Sequence, residues 1–234
     1  MDSYIHTLIF GYYPYVALMV LLVGSIVRYD REPYTWRSGS SQLLRRKQLI
    51  AGSVLFHVGV LIVFFGHLVG LLTPIEVFDM MGISHGFKQL AAIIVGGIAG
   101  VMALIGATML LHRRLFDSRI RATSTFSDTA VLILLYIQLL LGLATILISV
   151  DHLDGEEMVR FMEWSQGIFT FQSGTADIIR EVHWIFKLHL FLGLTIFLIF
   201  PFTRLVHMFS VPVRYLWRPG YQITRTKQKT RTTA

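Results

Sequence analysis

Four histidines of this chain lie deep inside long apolar segments. His57 and His67 belong to the stretch FHVGVLIVFFGH, whereas His189 and His207 belong to KLHLFLGLTIFLIFPFTRLVH. An ionisable ring at such depth is costly unless it has a partner, which makes each of the four a candidate functional residue. One buried histidine could simply bond to a serine, a threonine or a carbonyl oxygen of another helix. Four of them, two on each of two segments, favour a shared ligand.

The ligand that suits two facing imidazole rings is a haem iron. Neutral imidazoles on the two sides of a planar macrocycle supply both axial ligands of a six-coordinate, low-spin iron. The chain contains no cysteine, which excludes disulfides, thiolate catalysis, covalent haem attachment through Cys-x-x-Cys-His, and an iron–sulfur cluster held by this chain alone. The sequence therefore predicts b-type haem, held without a covalent bond.

Five apolar segments can position these rings. Of the 234 residues, 54% are hydrophobic and only 15% are charged, a balance that fits lipid better than water. Each segment is long enough for a helix that crosses a bilayer, which needs about 20 apolar residues. The pattern predicts one all-α domain over residues 1–234, an integral membrane bundle of five transmembrane helices. Their predicted ranges are 5–27, 49–72, 89–111, 128–150 and 183–208, followed by a basic tail at 209–234.

The charges of the loops predict the orientation of the bundle. Lysine and arginine accumulate in short cytoplasmic loops. The first loop, the third loop and the tail are rich in them, whereas the second loop carries only Lys88 and the fourth is mostly acidic. The N-terminus is therefore predicted outside and the C-terminus in the cytoplasm. This distribution accounts for the net charge of +7, so nucleic acid is not an expected partner.

The long fourth loop has a helical pattern of its own. Its apolar residues recur at helical spacing, with polar residues between them. This pattern predicts a short amphipathic helix that lies on the outer membrane surface. The residues concerned are Met158, Phe161, Met162, Ser165, Ile168 and Phe169.

Depth in the membrane predicts which histidines share a ligand. The second segment runs outward and the fifth runs inward, so His57 pairs with His207 on the inner side and His67 with His189 on the outer side. At about 1.5 Å per residue, the first two are about 15 Å apart along their helix and the last two about 27 Å. Helix tilt and a kink at Pro201 are expected to absorb this difference.

Glycines near the histidines have two interpretations. Gly52, Gly59 and Gly66 recur every seven residues, and Gly193 follows His189 by one helical turn. Their lack of side chains would leave room for a macrocycle. Ordinary packing of small residues between helices explains the pattern equally well.

Haem propionates are anionic and favour cations near the membrane interface. The candidates are Arg37 and Arg204 on the inner side and Lys187 on the outer side. The alternative for each is a long side chain that simply reaches the lipid headgroups.

Four stretches of sequence carry a resemblance to a known family. They are RYDREPYTWRSGSSQLL in the first inner loop, FHVGVLIVFFGHLVGLLTP in the second segment, RRLFDSRIRATS in the second inner loop and FKLHLFLGLTIFLIFPFTRLVHMFSVPVRYL near the end. Over nearly its whole length, the chain resembles the gamma (cytochrome b) subunit of membrane-bound respiratory nitrate reductase.

The resemblance implies a function and a set of site residues. Subunits of this family hold two b-type haems, oxidise menaquinol or ubiquinol near the outer haem, and pass electrons to an iron–sulfur beta subunit and a molybdenum-containing alpha subunit on the cytoplasmic face. By this resemblance, His67 and His189 bind the outer haem, and His57 and His207 bind the inner one. Lys88 matches the family's quinol-site lysine. The implied location is the cytoplasmic membrane of a prokaryote, and nitrate is not reduced on this chain.

The expected reaction moves electrons inward through the membrane. Two electrons leave quinol one at a time, through the outer and then the inner haem, and two protons are released outside. An inward-moving electron climbs the membrane potential, at about 2.3 kcal/mol per 100 mV. The inner haem is therefore expected to have the higher reduction potential, with Arg204 as a nearby cation. Lys88 is expected to bond to a quinone oxygen, and His67 to link that oxygen to the iron.

Two other classes of function fit the residues less well, and a third differs only in the partner enzyme. A transporter with a histidine relay needs a polar pathway, which the third and fourth segments do not provide. An intramembrane metal hydrolase usually needs a carboxylate or a close His-x-x-x-His pair, and no acidic residue lies deep in the five segments. The third alternative is a di-haem cytochrome b of a formate, hydrogen or thiosulfate system.

Overall fold

The computed structural model of the protein describes residues 3–36, 44–151 and 153–210. Throughout these ranges the regular structure is helical, with no β-strand. Within them, five helices are long and apolar enough to cross a membrane: Tyr4–Arg31, Arg46–Leu72, His85–Phe116, Phe126–Ser149 and Trp184–Phe202. The predicted all-α fold with five membrane-spanning helices is confirmed for this part of the chain. Residues 211–234 of the predicted basic tail lie outside it.

Polar caps lengthen two of the spans beyond their predicted starts. The third begins at residue 85 rather than 89, because the Ser84 side chain accepts a hydrogen bond from the amide of Phe87. The fourth begins at residue 126 rather than 128, because Thr125 and Asp128 form a capping box. The α-helices of the described ranges are α1 Ser3–Thr7, α2 Tyr13–Arg31, α3 Arg46–Leu72, α4 Ile75–Met80, α5 His85–Phe116, α6 Ser118–Ala122, α7 Phe126–Ser149, α8 Glu156–Phe169, α9 Thr175–Ile178 and α10 Trp184–Ile199.

The order of the helices in the bundle leaves α3 and α10 facing each other. Helix α5 packs between α3 and α7, and α10 packs between α7 and α2. Over the described residues, α3 and α10 have far fewer close backbone contacts with each other than these neighbours have. The two helices that carry the candidate ligands are therefore held apart by the rest of the bundle. We call the end of the bundle with α8 the outer end and the opposite end the inner end, following the predicted orientation.

Small residues allow α3 to approach α5 closely. A Cβ atom at Gly59 would lie 2.5 Å from the carbonyl oxygen of Ala99, and one at Gly106 would lie 2.3 Å from the amide nitrogen of Phe56. One at Gly52 would lie 3.3 Å from the carbonyl oxygen of Gly106. The packing interpretation therefore holds for Gly52 and Gly59. Gly66 has no neighbour within 4 Å of an added Cβ.

We expect Gly59→Ala to lower the free energy of unfolding by about 1–3 kcal/mol, the usual cost of overpacking. The added methyl group would meet backbone atoms of α5, which cannot move aside without shifting the helix. Chemical unfolding of the detergent-solubilised protein, followed by circular dichroism, measures the change. Gly96→Ala is the matched control, because a Cβ there has no neighbour within 4 Å. Equal stability of the two variants would contradict this account.

A π-helical turn in the first span anchors α8. Pro14 has no N–H to donate to the carbonyl group of Phe10, and the preceding residues Leu8–Tyr12 form a π-helix. The indole nitrogen of Trp164 donates to the Phe10 carbonyl oxygen at 2.9 Å. The predicted amphipathic helix is therefore α8, and its buried face is bound to the bundle rather than only to lipid.

The fifth span is broken near the inner end, so the predicted continuous helix over 183–208 is wrong. Helix α10 ends at Ile199, a 3₁₀ turn covers Phe200–Phe202, Thr203 is extended, and a second 3₁₀ segment covers Arg204–Ser210. Pro201 accounts for the break, because it removes a backbone donor and its ring clashes with the preceding turn. The break, rather than a kink in a continuous helix, resolves the mismatch in spacing between the two pairs of histidines.

Arg28 supports this broken end. Its Nη1 donates to the carbonyl oxygens of Pro201 and Thr203, both at 2.7 Å. Its Nε and Nη2 donate to the hydroxyl group and the carbonyl oxygen of Thr35. One guanidinium thereby satisfies carbonyl groups that the interrupted helix leaves without helical donors. Arg28 therefore fixes the start of the segment that carries His207.

Candidate functional site

The four candidate histidines form two pairs between α3 and the fifth span. The ring centroids of His57 and His207 are 6.2 Å apart, with an interplanar angle of 73°. Those of His67 and His189 are also 6.2 Å apart, with an angle of 44°. These are the two pairs that membrane depth predicted. His207 reaches its place from the 3₁₀ segment beyond the break, whereas the other three lie on α3 and α10.

Three of the rings are oriented by backbone carbonyl groups. Nδ1 of His57 donates to the carbonyl oxygen of Ser53 at 2.7 Å, and Nδ1 of His67 donates to that of Val63 at 2.8 Å. Nδ1 of His207 donates to that of Arg204 at 2.5 Å. Because a carbonyl group only accepts, the proton of each neutral ring lies on Nδ1. The Nε2 atom of each ring keeps its lone pair for a metal.

His189 differs from the other three in its surroundings. Its Nδ1 is buried and has no hydrogen-bond partner in the described structure. Its ring lies against Gly142 of α7, where an added Cβ would be 3.1 Å from Cε1. The side chain of Gln138, one turn away on α7, donates from Nε2 to the carbonyl oxygen of His189 at 3.1 Å. An added Cβ at Gly193 would lie 3.2 Å from this Nε2, so Gly193 makes room for Gln138.

The dimensions of both pairs fit bis-histidine haem. A metal–nitrogen bond of about 2.0 Å on each side, with about 1.1 Å from each nitrogen to its ring centroid, places two centroids about 6.2 Å apart. Four neutral imidazoles in two pairs are the donor set of two six-coordinate haems. The described residues contain no group of three or more His, Asp or Glu that could hold a metal ion. The candidate metal-binding nitrogens therefore occur as two pairs of histidines, each with one histidine on α3 and one on the fifth span.

Charged residues gather at the inner end beside His207. Asp128 of α7 lies between two arginines, 3.6 Å from Nε of Arg204 and 4.0 Å from Nη1 of Arg114. Arg204 thus has a carboxylate partner, while its backbone carbonyl orients His207. Sequence reasoning missed Arg114 and Asp128 as neighbours of the site. The sequence feature that could have indicated them is the aspartate in the first turn of the fourth span, but an aspartate at that position alone indicates only a helix cap.

The other two predicted cations have different outcomes. Arg37 lies outside the described residues. Lys187 donates from Nζ to the carbonyl oxygen of Arg180, which closes the loop between α9 and α10. This bond gives Lys187 a structural partner at the outer end.

Near the inner end, Asp117 caps α6 and lies 2.6 Å from Nε of Arg45. Its hydrogen bond from the amide of Ile120, reinforced by the amide of Arg119 and by Arg45, holds the pKa of this carboxyl group below its usual value. A cavity of about 440 Å³ lies beside it, lined partly by Arg45 and Arg119. The inner end therefore presents a charged surface on which most of the ionised groups are cationic.

Lys88 is a buried cation with weak partners. Only 8% of the residue is exposed, and its Nζ donates to the thioether of Met162 at 2.7 Å and lies 3.8 Å from the centroid of the Phe78 ring. A thioether is a weak acceptor, and an aromatic face supplies only a cation–π contact. The ammonium group has three N–H donors. Lys88 can therefore donate further hydrogen bonds to an oxygen atom of a ligand.

Helix α8 covers both Lys88 and the outer end of α3. Met162 of α8 contacts Lys88, and Nε2 of Gln166 donates to the carbonyl oxygens of Leu71 and Thr73 at 3.1 and 3.2 Å. These carbonyl groups end the helix that carries His67. One amphipathic helix therefore links the lysine to the end of the His67 helix.

Comparison with known proteins assigns the chain to a family. Residues 6–227 match the family model described as nitrate reductase gamma subunit. The chain belongs to this family. Membership of the nitrate reductase gamma subunit family makes it a subunit of an oxidoreductase, in agreement with the resemblance of its four sequence stretches.

Relatives within the nitrate reductase gamma subunit family match almost end to end. The respiratory nitrate reductase 1 gamma chain of Escherichia coli is 47% identical over 96% of this chain and 99% of its own length. The respiratory nitrate reductase 2 gamma chain of the same organism is 46% identical over 97% and 100%. The nitrate reductase gamma chain of Bacillus subtilis is 39% identical over 94% and 98%. The similarity therefore covers all five spans and both histidine pairs.

Proposed function

We propose that this gamma-family chain is the di-haem cytochrome b subunit of a respiratory nitrate reductase. It oxidises quinol near the outer face and passes the electrons inward. The observation that carries the proposal is the separation of 6.2 Å between the rings in each of two histidine pairs. When bound, the haems supply one-electron transfer between the two faces. His67 and His189 hold the outer haem, and His57 and His207 hold the inner one.

Lys88 binds the quinol in this proposal. Its buried ammonium group donates a hydrogen bond to a quinol oxygen and stabilises negative charge there as the proton leaves. Each quinol loses two electrons and two protons, and the protons leave at the outer face. Helix α8 covers Lys88 and helps to exclude water from it. The thioether of Met162 is readily displaced by an oxygen ligand because it is the weaker acceptor.

Charge at the inner end favours inward transfer. Arg114 and Arg204 share the single carboxylate of Asp128 beside His207, which leaves a net positive charge there. A positive charge stabilises the site that has gained an electron. Arg204 and Arg114 would therefore raise the reduction potential of an inner haem held by His57 and His207, and would offer positive charge to its propionates.

The partners are the iron–sulfur beta subunit and the molybdenum-containing alpha subunit. They bind the inner end, where the cationic surface beside Asp117 offers electrostatic complementarity to an acidic partner. The complex lies in the cytoplasmic membrane of a prokaryote, and the quinol is menaquinol or ubiquinol. A di-haem subunit of a formate, hydrogen or thiosulfate system would share the histidines but not these two soluble subunits.

Purification of the complex from a membrane tests the proposal directly. We expect a b-type reduced-minus-oxidised spectrum, two non-covalent haems per copy of this chain, and co-purification of a molybdenum protein and an iron–sulfur protein that reduce nitrate with quinol. Copurification with a different dehydrogenase, or a preparation without haem, would contradict it.

The topology gives a separate prediction. A reporter fused after Ala234 is expected to be active in the cytoplasm, and one fused before Met1 is expected to be active only outside, because the basic residues concentrate in the loops assigned inward. Paired alkaline phosphatase and green fluorescent protein fusions measure both positions. An external C-terminus would reverse the direction of electron transfer as well as the orientation.

A further inference from the structure

Among the described residues, two buried side-chain atoms without hydrogen-bond partners belong to residues that contact each other beside the outer histidine pair. They are Nδ1 of His189 and Oε1 of Gln138. A buried polar atom without a hydrogen bond costs about 1–3 kcal/mol, so such atoms are rare in stable proteins. Nδ1 is a donor in a neutral imidazole whose Nε2 is left free for a metal, and Oε1 is an acceptor. Their chemistry is complementary.

The contrast with the other three histidines gives the observation its weight. His57, His67 and His207 each donate from Nδ1 to the carbonyl oxygen three or four residues earlier in the chain. His189 does not make this bond. Its ring is instead turned towards α7, with Cε1 against Gly142. An acceptor for its Nδ1 is therefore expected from α7.

Gln138 is within reach because α7 and α10 are in close contact at this level. Its amide nitrogen already bonds to the carbonyl oxygen of His189. The absence of side chains at Gly142 and Gly193 leaves space on either side for the amide and the ring. A change of the Gln138 side-chain rotamer would carry Oε1 towards Nδ1.

We propose that Gln138 is a positioning residue for the outer haem, accepting the Nδ1–H hydrogen bond of His189 through Oε1. This role rests on the proposed function, because it requires His189 to bind the iron through Nε2. The hydrogen bond fixes the rotation of the imidazole and makes Nε2 a stronger donor. A stronger donor stabilises the oxidised iron, so Gln138 lowers the reduction potential of the outer haem. A low potential there favours onward transfer to the inner haem.

The test is a redox titration of each haem in the purified complex. Gln138→Leu removes the acceptor, and we expect the equilibrium constant for reduction of the outer haem to rise about tenfold, which is 59 mV for a one-electron couple. The inner haem is the internal control and should keep its potential. The low-spin electron paramagnetic resonance signal of the outer haem should also shift, because the ring is no longer held at its angle.

Gln138→Glu distinguishes a role of Gln138 as hydrogen-bond acceptor for His189 from a role in packing alone. Both variants lose the bond from Nε2 to the carbonyl oxygen of His189, but only the glutamate keeps an acceptor oxygen. We expect the glutamate variant to have an outer-haem potential at or below that of the wild type, opposite to the leucine variant. If the leucine variant does not retain the outer haem, the outer-haem potential of the glutamate variant alone tests the proposal: a potential at or below that of the wild type supports it, and a higher one contradicts it.

Three outcomes would overturn the inference. They are an unchanged outer-haem potential in Gln138→Leu, equal upward shifts in both variants, and a glutamate variant whose potential lies above the wild type. In the first case His189 finds its acceptor elsewhere, for example at a carbonyl group of its own helix. Wild-type complex with fewer than two haems would instead refute the proposed function, so the two failures are distinguishable.

Discussion

Replacement of His57 or of His207 by alanine is expected to remove the same single haem, leaving one per chain instead of two. Under the proposed function, each variant would deprive the inner haem of one of its two axial ligands, while His67 and His189 remain intact. Quinol-dependent nitrate reduction should fall to background, because electrons that arrive at the outer haem have no onward carrier. The haem content is measured by the pyridine haemochrome assay, and the lost species is identified by its potential and its paramagnetic signal.

The control variant for this experiment replaces a histidine that lies at a helix end and outside both pairs. His112 lies near the end of α5 and contacts Phe116, with ring centroids 4.9 Å apart, outside both pairs. His112→Ala should keep both haems and most of the activity. The pairing would be wrong if His57→Ala and His207→Ala removed different haems. It would also be wrong if either variant lost the haem with the properties assigned to His67 and His189.

Lys88→Ala is expected to slow quinol-dependent reduction of the haems by about ten- to a hundredfold. A hydrogen bond from a charged donor is worth roughly 1.5–3 kcal/mol, and each 1.4 kcal/mol in an activation barrier is a factor of ten in rate. Both haems should stay bound, because Lys88 contacts Met162 and Phe78 rather than any of the four histidines. Stopped-flow reduction of the haems by a quinol analogue measures the rate.

Two controls separate a quinol-site lysine from a lysine that merely anchors a helix. Activity with an artificial donor that reduces the soluble subunits directly should be unchanged, because those electrons never visit the outer end. Lys47→Ala, at the exposed start of α3, removes an equal charge from the opposite end and should leave quinol oxidation intact. Wild-type quinol kinetics in Lys88→Ala, with a normal haem spectrum, would refute the assignment.

The depth of each histidine in the membrane and the direction of its helix were enough to predict which histidines lie close together. A helix with a known direction places each residue at a definite level, and a costly polar ring then needs a partner at that level. The same reasoning failed for the fifth span, because hydropathy does not detect the end of a helix inside an apolar run. Pro201 indicated a local disturbance, but only the tertiary contacts of Thr203 and Arg28 decide between a kink and a break.

Hydrogen bonds and ion pairs between residues far apart in the chain could not be predicted from the sequence. Arg28 reads as one of many positive charges that set topology, and its bonds to Pro201 and Thr203 span more than 170 residues. Asp128 reads as a helix cap, which it is, yet it also pairs with Arg204. The glycines of α3 are ambiguous for the same reason, because the identity of the facing surface decides their role.

The break in the fifth span gives the two histidine pairs different histories during synthesis of the chain. The outer pair needs only α3 and α10, two regular helices that can form as they enter the membrane. The last ligand, His207, leaves the ribosome later, and its segment follows a break whose carbonyl groups are bound by Arg28 of the first span. We therefore expect maturation to be sequential, with the proposed inner haem as the second one that the nascent subunit receives.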